Sequence, residues 1–154
     1  MIEIVAEIDR QNAPMVELNV LCSPGKEEFT RIVFYKERRY VDWERSGGWA
    51  RFRDSKDSLL VIDTTYTSEL PDVESRAPEM APIYLARGEP LKLRIFIDQS
   101  VVEVFTNERQ CVAVRVYLGH PDSTGISLRA QGAEALLHSL DLWQMRSIYD
   151  GSAI

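Results

Sequence analysis

Cysteine and histidine are scarce in this sequence, which has two of each among 154 residues. Cys22 and Cys111 lie in apolar runs, and neither has the CxxC or His-rich spacing that zinc and redox sites use. We therefore expect no metal site and no cofactor. The two thiols are expected to be buried and free, and a single disulfide between them is the alternative.

Nucleophile motifs are also missing. Ser123, His138 and Asp141 hold the three residue types of a hydrolytic triad, but no nucleophile-elbow sequence surrounds the serine. His120, in a proline turn, and His138 are instead expected at the surface or at a sheet edge. The sequence alone therefore offers no nucleophilic centre.

Positive charge and long apolar runs are lacking as well. The formal net charge is −6, and acidic residues surround the one basic cluster, YKERRY at 35–40. This balance argues against a nucleic-acid partner, because affinity for phosphate comes mainly from clustered Lys and Arg. No run approaches the length of a membrane span, and MIEIVAEID lacks the pattern of a signal peptide. We expect no membrane partner, and the compartment stays open.

Alternation of apolar and polar residues dominates the chain. It is clear at 2–9, 16–22, 91–97 and 112–118, with turn residues such as SPG, SGG and TNE between the runs. This pattern predicts an all-β fold, a two-sheet antiparallel β-sandwich of the jelly-roll or concanavalin-like type. The segment 69–82, with three prolines, is expected to be a crossing loop. In 132–145, however, the leucines and Trp143 follow helical spacing, and periodicity alone predicts a helix.

One hairpin, LRIFIDQSVVEVFTN at 93–107, carries two carboxylates that invite a catalytic interpretation. A turn at 99–100 places Ile95 and Ile97 on one face with Val102 and Val104, and places Glu103 on the opposite face near Asp98 and Arg94. Cross-strand geometry places the two carboxylates roughly 7–8 Å apart. Inverting glycosidases use carboxyl pairs at about this separation. Nothing in the sequence supplies the rest of a site. The favoured interpretation is therefore that Asp98 begins the turn and that Glu103 is solvated, with its charge compensated by Arg94.

Aromatic residues cluster in YVDWERSGGWARF at 40–52. Tyr40, Trp43 and Trp49 lie near a Gly-Gly turn among acids and arginines, the composition of a sugar-binding patch. The alternative is that these rings pack in the core or against a missing domain. Trp143 is expected in the core.

The hairpin, followed by STGISLRAQGAEALLHSLDLWQM at 123–145, closely resembles the C-terminal β-sandwich module of glycoside hydrolase family 32, the invertases, levanases, inulinases and other β-fructosidases. Segments 2–9, 16–35 and 58–68 fit the same module. The resemblance implies a final strand, rather than a helix, within 132–145. It also implies one module over 1–146 with a tail at 147–154.

The resemblance further implies a catalytic N-terminal β-propeller as partner within the same parent chain. The propeller motifs, Asn-Asp-Pro-Asn-Gly, Arg-Asp-Pro and Glu-Cys, are absent here: Ser55 follows Arg53-Asp54, and Gln110 precedes Cys111. We therefore expect no catalytic residue in this chain. Its expected role is to support the propeller, with formation of a homo-oligomer as an added possibility and a carbohydrate-binding module as the alternative. A self-sufficient hydrolase is a third hypothesis, resting on Asp98 and Glu103 alone.

Overall fold

A computed structural model describes residues 1–37, 58–74 and 76–146. Those residues form the strands β1 Ile2–Asp9, β2 Met15–Cys22, β3 Thr30–Tyr35, β4 Ser58–Asp63, β5 Glu79–Ile83, β6 Leu91–Asp98, β7 Val101–Thr106, β8 Gln110–Arg115, β9 Gly125–Gln131 and β10 Leu136–Gln144. They make two five-stranded antiparallel sheets, sheet A in the order β10-β1-β6-β7-β8 and sheet B in the order β5-β4-β3-β2-β9. No helix long and apolar enough to span a membrane occurs in this part of the chain.

The core lies between the two sheets and is aliphatic. Because side chains alternate along a strand, every second residue of β1 and β6 points inward, and these residues are buried. They meet the inward residues of β2, β3 and β4 in one continuous cluster. The predicted all-β sandwich is confirmed. The central members of the cluster are Ile4, Ile8, Leu18, Ile32, Phe34, Leu60, Ile62, Leu91, Ile95 and Val104.

The β6–β7 hairpin has the register that the aliphatic pattern predicts. Ile97 pairs with Val102, Phe96 with Glu103, and Asp98 with Val101. At the tip, Gln99 has a φ of 50°, in the left-handed region that a tight turn requires. A shift by one residue would have carried Glu103 into the core, so burial of the isoleucines and valines fixes the pairing.

Strand β10 is the final strand that the family resemblance implies. The helix that periodicity predicts within 132–145 is wrong. Residues 136–144 pair antiparallel with β1, with an irregularity between Glu7 and Ile8 that leaves His138 without a paired residue. The leucines give helical spacing because this edge strand carries them on both faces. Trp143, expected in the core, is instead 47% exposed because it lies opposite Glu3 on the outer face of sheet A.

Two further expectations are corrected. The segment 69–82 is not loop throughout, since β5 occupies Glu79–Ile83, and Pro82 is tolerated because β5 is an edge strand. Cys111 is exposed rather than buried, because Val112 takes the inward position on β8. Both cysteines are free, and Cys22 is buried as expected. The expected tail at 147–154 lies outside the described residues.

Candidate functional site

The two hairpin carboxylates lie on the outer face of sheet A, beside a shallow depression of about 400 Å³. Met1, Phe96 and Phe105 line it together with Asp98 and Glu103. Neither carboxylate makes a salt bridge with a described residue. Arg94, expected to offset Glu103, donates instead to Glu3 at 2.6 Å. The pair therefore lies on a sheet surface, with Asp98 exposed and Glu103 half-buried, and no salt bridge from a described residue distinguishes an acid from a nucleophile.

A larger open groove of about 830 Å³ adjoins this depression across the same two phenylalanines. The rings of Phe96 and Phe105 meet edge to face, with centroids 5.9 Å apart, and the Arg94 guanidinium lies 5.0 Å from the Phe96 centroid. Stacked cations and rings of this kind contribute roughly 0.5–1 kcal/mol at exposed sites. The groove therefore has an aromatic floor that is already engaged by the protein's own arginine.

One end of the groove is closed by a hydrogen-bonded cluster around Asn107 and Glu89. The Asn107 amide nitrogen donates to the Glu89 carboxylate at 3.1 Å and to the Pro90 carbonyl at 2.9 Å, and its amide oxygen accepts from the Lys92 N–H. Arg109 contacts Glu89 at 2.8 Å. Hydrogen bonds from the Ala86 N–H, Asn107 and Arg109 lower the pKa of Glu89. These contacts fix the β7–β8 turn and occupy most of the acceptor positions of the Glu89 carboxylate.

Glu28 is a fully buried carboxylate that the sequence pattern did not reveal. Its Oε1 accepts from the N–H groups of Glu69 at 2.9 Å and Gly119 at 2.8 Å, and its Oε2 accepts from the His120 N–H at 3.0 Å and the Ser123 hydroxyl at 3.1 Å. Burial by itself would raise the pKa of Glu28, but these four donors outweigh it and lower the pKa. The glutamate joins three loops and is structural.

Glu17 is a second buried carboxylate, on sheet B. It accepts from Arg31 and Arg129, at 2.7 Å and 3.0 Å, and from the Asn19 amide at 2.9 Å. Burial would raise the pKa of Glu17, and the two arginines and Asn19 lower it below the usual range. On the outer face of sheet B, a local ion-pair network thus joins β2, β3 and β9.

The imagined triad does not assemble. The Ser123 hydroxyl donates to Glu28, whereas His138 and Asp141 lie on β10. His120 instead contacts the Glu69 carboxylate at 3.1 Å, which raises the pKa of His120. Both histidines lie at the surface or the sheet edge, as expected. Within the described ranges, no cluster of three or more His, Cys, Asp or Glu side chains could hold a metal ion.

The candidate sugar-binding residues Tyr40, Trp43 and Trp49 lie outside the described residues. Their assignment therefore stays a prediction from sequence. The aromatic groove over Phe96 and Phe105 was missed at the sequence level because both phenylalanines alternate with core residues, a pattern that places them on the outer face without indicating a groove.

The proteins that match this chain in sequence include two curated ones. Sucrose-6-phosphate hydrolase from Escherichia coli is 34% identical over 98 residues, which are 64% of this chain and 19% of that protein. Levanase from Bacillus subtilis strain 168 is 26% identical over 149 residues, 96% of this chain and 19% of that protein. The chain thus spans about a fifth of the length of these curated relatives.

The fold agrees with the sequence match. Fructan 1-exohydrolase IIa from Cichorium intybus superposes with a TM-score of 0.76 at 13% identity, over 94% of this chain and 31% of that one. The family described as glycosyl hydrolases family 32 C terminal matches residues 1–144. This chain therefore belongs to the C-terminal domain family of the family 32 glycosyl hydrolases.

Proposed function

We propose that this chain is the non-catalytic C-terminal β-sandwich of a β-fructosidase. In the parent polypeptide it would follow and support a catalytic β-propeller that cleaves terminal fructosyl bonds of sucrose or fructans. Family membership supports the proposal, as does the fraction of each relative that the chain spans. The proposal that this chain is not catalytic rests on one observation, the surroundings of its carboxylates.

Those carboxylates divide into two groups, and neither suits acid–base chemistry. Glu17 and Glu28 are buried, and both are engaged by several donors that hold them ionised. Asp98 and Glu103 lie at a shallow surface depression, without a salt-bridge partner among the residues described. Glycoside hydrolysis needs two carboxyl groups in one cleft whose surroundings separate their pKa values. The four carboxylates Glu17, Glu28, Asp98 and Glu103 offer no such pair.

The proposal is tested by the coding sequence upstream of residue 1 and by a deletion. We expect that sequence to encode a β-propeller with the three carboxylate motifs. We also expect removal of the sandwich to lower the unfolding temperature of the remaining enzyme. An unrelated domain upstream would contradict the proposal, and so would a propeller whose stability and activity are unchanged by the deletion.

A direct carbohydrate-binding role is the second candidate, supported by the composition around Tyr40, Trp43 and Trp49. Titration calorimetry of this chain with inulin, levan and sucrose tests it. Saturable binding that is lost in Trp43→Ala and Trp49→Ala, but kept in Trp143→Ala, would support direct recognition. An absence of heat with all three sugars would contradict it.

A further inference from the structure

The edge of sheet A carries an unusual amount of exposed apolar surface. All nine residues of β10 are exposed, and two methionines lie beside the strand. The apolar strip, as we call this surface, consists of Met1, Leu136, Leu140, Leu142, Trp143 and Met145. Half-exposed side chains of this size leave on the order of several hundred Å² of apolar surface in water, the range that marks interaction sites on soluble proteins.

Large apolar residues of the strip lie on both faces of β10. Leu140 and Leu142 lie opposite Ala6 and Ile4 on the core side, whereas Trp143 lies opposite Glu3 on the outer side. The core-side leucines remain exposed although their partners on β1 are fully buried. A strand that only closed the core would need apolar residues on one face, so an exposed tryptophan on the outer face requires another explanation.

Within the described residues, the outer edge of β10 also lacks a paired strand. It is the end strand of sheet A, and no described strand pairs with its far side. Proteins usually guard such edges with lysine, proline or a covering segment. The sequence LLHSLDLWQ holds neither residue. The strip therefore has the properties of a surface that another domain covers.

Residue 1 lies at one end of the strip. The Met145 N–H donates to the Met1 carbonyl at 3.0 Å, and Ile2 pairs with Gln144. Any domain that precedes residue 1 in the parent chain thus enters beside Trp143 and Met145. The nine residues of β10 extend roughly 30 Å from this point, so a domain attached here reaches the whole strip without a long linker.

We propose that the apolar strip is the surface on which the preceding propeller domain docks, an inference that rests on the proposed function. A short tether gives an attached domain an effective concentration in the mM range, about a thousandfold above that of a second copy at µM concentration. The tether therefore favours the attached domain over a second copy as the occupant.

Charge defines the chemistry of the covering surface. Asp141 lies on the outer side of the strip opposite Val5 and makes no salt bridge with any described residue. Docking would desolvate this carboxylate, which is unfavourable unless a donor meets it. The occupant is therefore an apolar surface of the propeller that places an arginine, a lysine or backbone N–H groups against Asp141.

Hydroxyl-radical labelling of the full parent polypeptide, compared with labelling of this chain alone, tests the inference. Met80 and Tyr84 are matched controls, since Met80 is 48% exposed, against 37% for Met145, and lies on the opposite edge of the sandwich. Trp143 and Met145 should be labelled about fivefold more slowly in the parent, because a docked surface excludes water. The rates at Met80 and Tyr84 should change less than about twofold.

Equal labelling of Trp143 and Met145 in the two proteins would overturn the inference while leaving the proposed function intact, provided that a propeller is present upstream. Absence of a propeller would instead overturn the proposed function itself. Protection already present in the isolated chain, with a dimer mass by sedimentation, would assign the strip to a second copy and contradict the inference.

A pair of variants gives a second readout. In the parent polypeptide, Trp143→Asp should speed limited proteolysis at the junction near residue 1 by about tenfold, because a charge at a docked apolar face must be desolvated. Met80→Asp should leave that rate unchanged. Equal effects of the two variants would contradict docking on the strip.

Discussion

The carboxylate of Glu28 accepts a hydrogen bond from the Gly119 N–H at 2.8 Å, although the two residues are 91 positions apart in the chain. The same carboxylate also binds the N–H groups of Glu69 and His120. One buried anion therefore determines how the β2–β3 loop meets the segments that follow β4 and β8.

Replacement of Glu28 by glutamine should destabilise the fold. The amide group would face N–H or hydroxyl donors with its own NH₂, and an unsatisfied buried donor costs about 1–3 kcal/mol. Urea unfolding at pH 7 measures the loss of unfolding free energy. Glu69→Gln is the control, since its half-exposed carboxylate should contribute at most about 1 kcal/mol.

Low pH should weaken the stabilisation that the Glu28 carboxylate provides. Because the folded state lowers the pKa of Glu28 below its ordinary value of 4.5, the stabilisation is complete above that value. It is lost as the pH falls through the lower folded pKa. The difference in unfolding free energy between wild type and Glu28→Gln should therefore shrink on acidification, and a difference that stays constant down to pH 2 would contradict this assignment.

Arg31 and Arg129 both bind Glu17, but they should differ in energetic weight. The side chain of Arg31 is 25% exposed and that of Arg129 is 60% exposed, so solvent screens the second pair more. We expect Arg31→Ala to cost about 2 kcal/mol and Arg129→Ala at most about 1 kcal/mol. Denaturant unfolding of both variants checks the order, and a larger loss for Arg129→Ala would refute it.

The β7–β8 turn allows a matched pair of substitutions. Asn107 and Glu108 have φ values of 48° and 57°, and Asn107 also makes the side-chain bonds described above. Asn107→Ala should cost about 2 kcal/mol, because it removes those bonds and keeps the left-handed backbone. Glu108→Gly should instead stabilise the fold by up to about 1 kcal/mol. Thermal unfolding should move in opposite directions for the two variants.

The two thiols should react differently. Cys111 is exposed and Cys22 is buried, and burial raises the pKa of both thiols, assisted at Cys111 by the charge of Glu103. Ellman's reagent should modify one thiol per folded chain, faster as the pH rises, and two in denaturant. Two thiols reacting rapidly in the folded chain would be inconsistent with this structure.

The sheet arrangement was largely predictable from sequence because core burial determines register. Ile95, Ile97, Val102 and Val104 need one common apolar face, and only one pairing of the hairpin provides it. Periodicity gave the wrong prediction for Trp143 and the β10 leucines. An edge strand can carry apolar residues on both faces, and this pattern resembles helical spacing.

Long-range polar contacts were not predictable in the same way. Glu28 draws its donors from residues 41 to 95 positions away, and no local pattern encodes such a meeting. Arg94 is diagonal to Glu103 on β7 and to Glu3 on β1, and it pairs with Glu3 because β1 lies beside β6.

The most direct test of a non-catalytic role is a fructose-release assay on the isolated 154-residue chain with sucrose, inulin and levan. The account predicts no release above buffer, whereas the parent polypeptide hydrolyses at least one of these substrates and keeps that activity in Asp98→Asn and Glu103→Gln. Turnover by the isolated chain that disappears in Glu103→Gln would contradict the account.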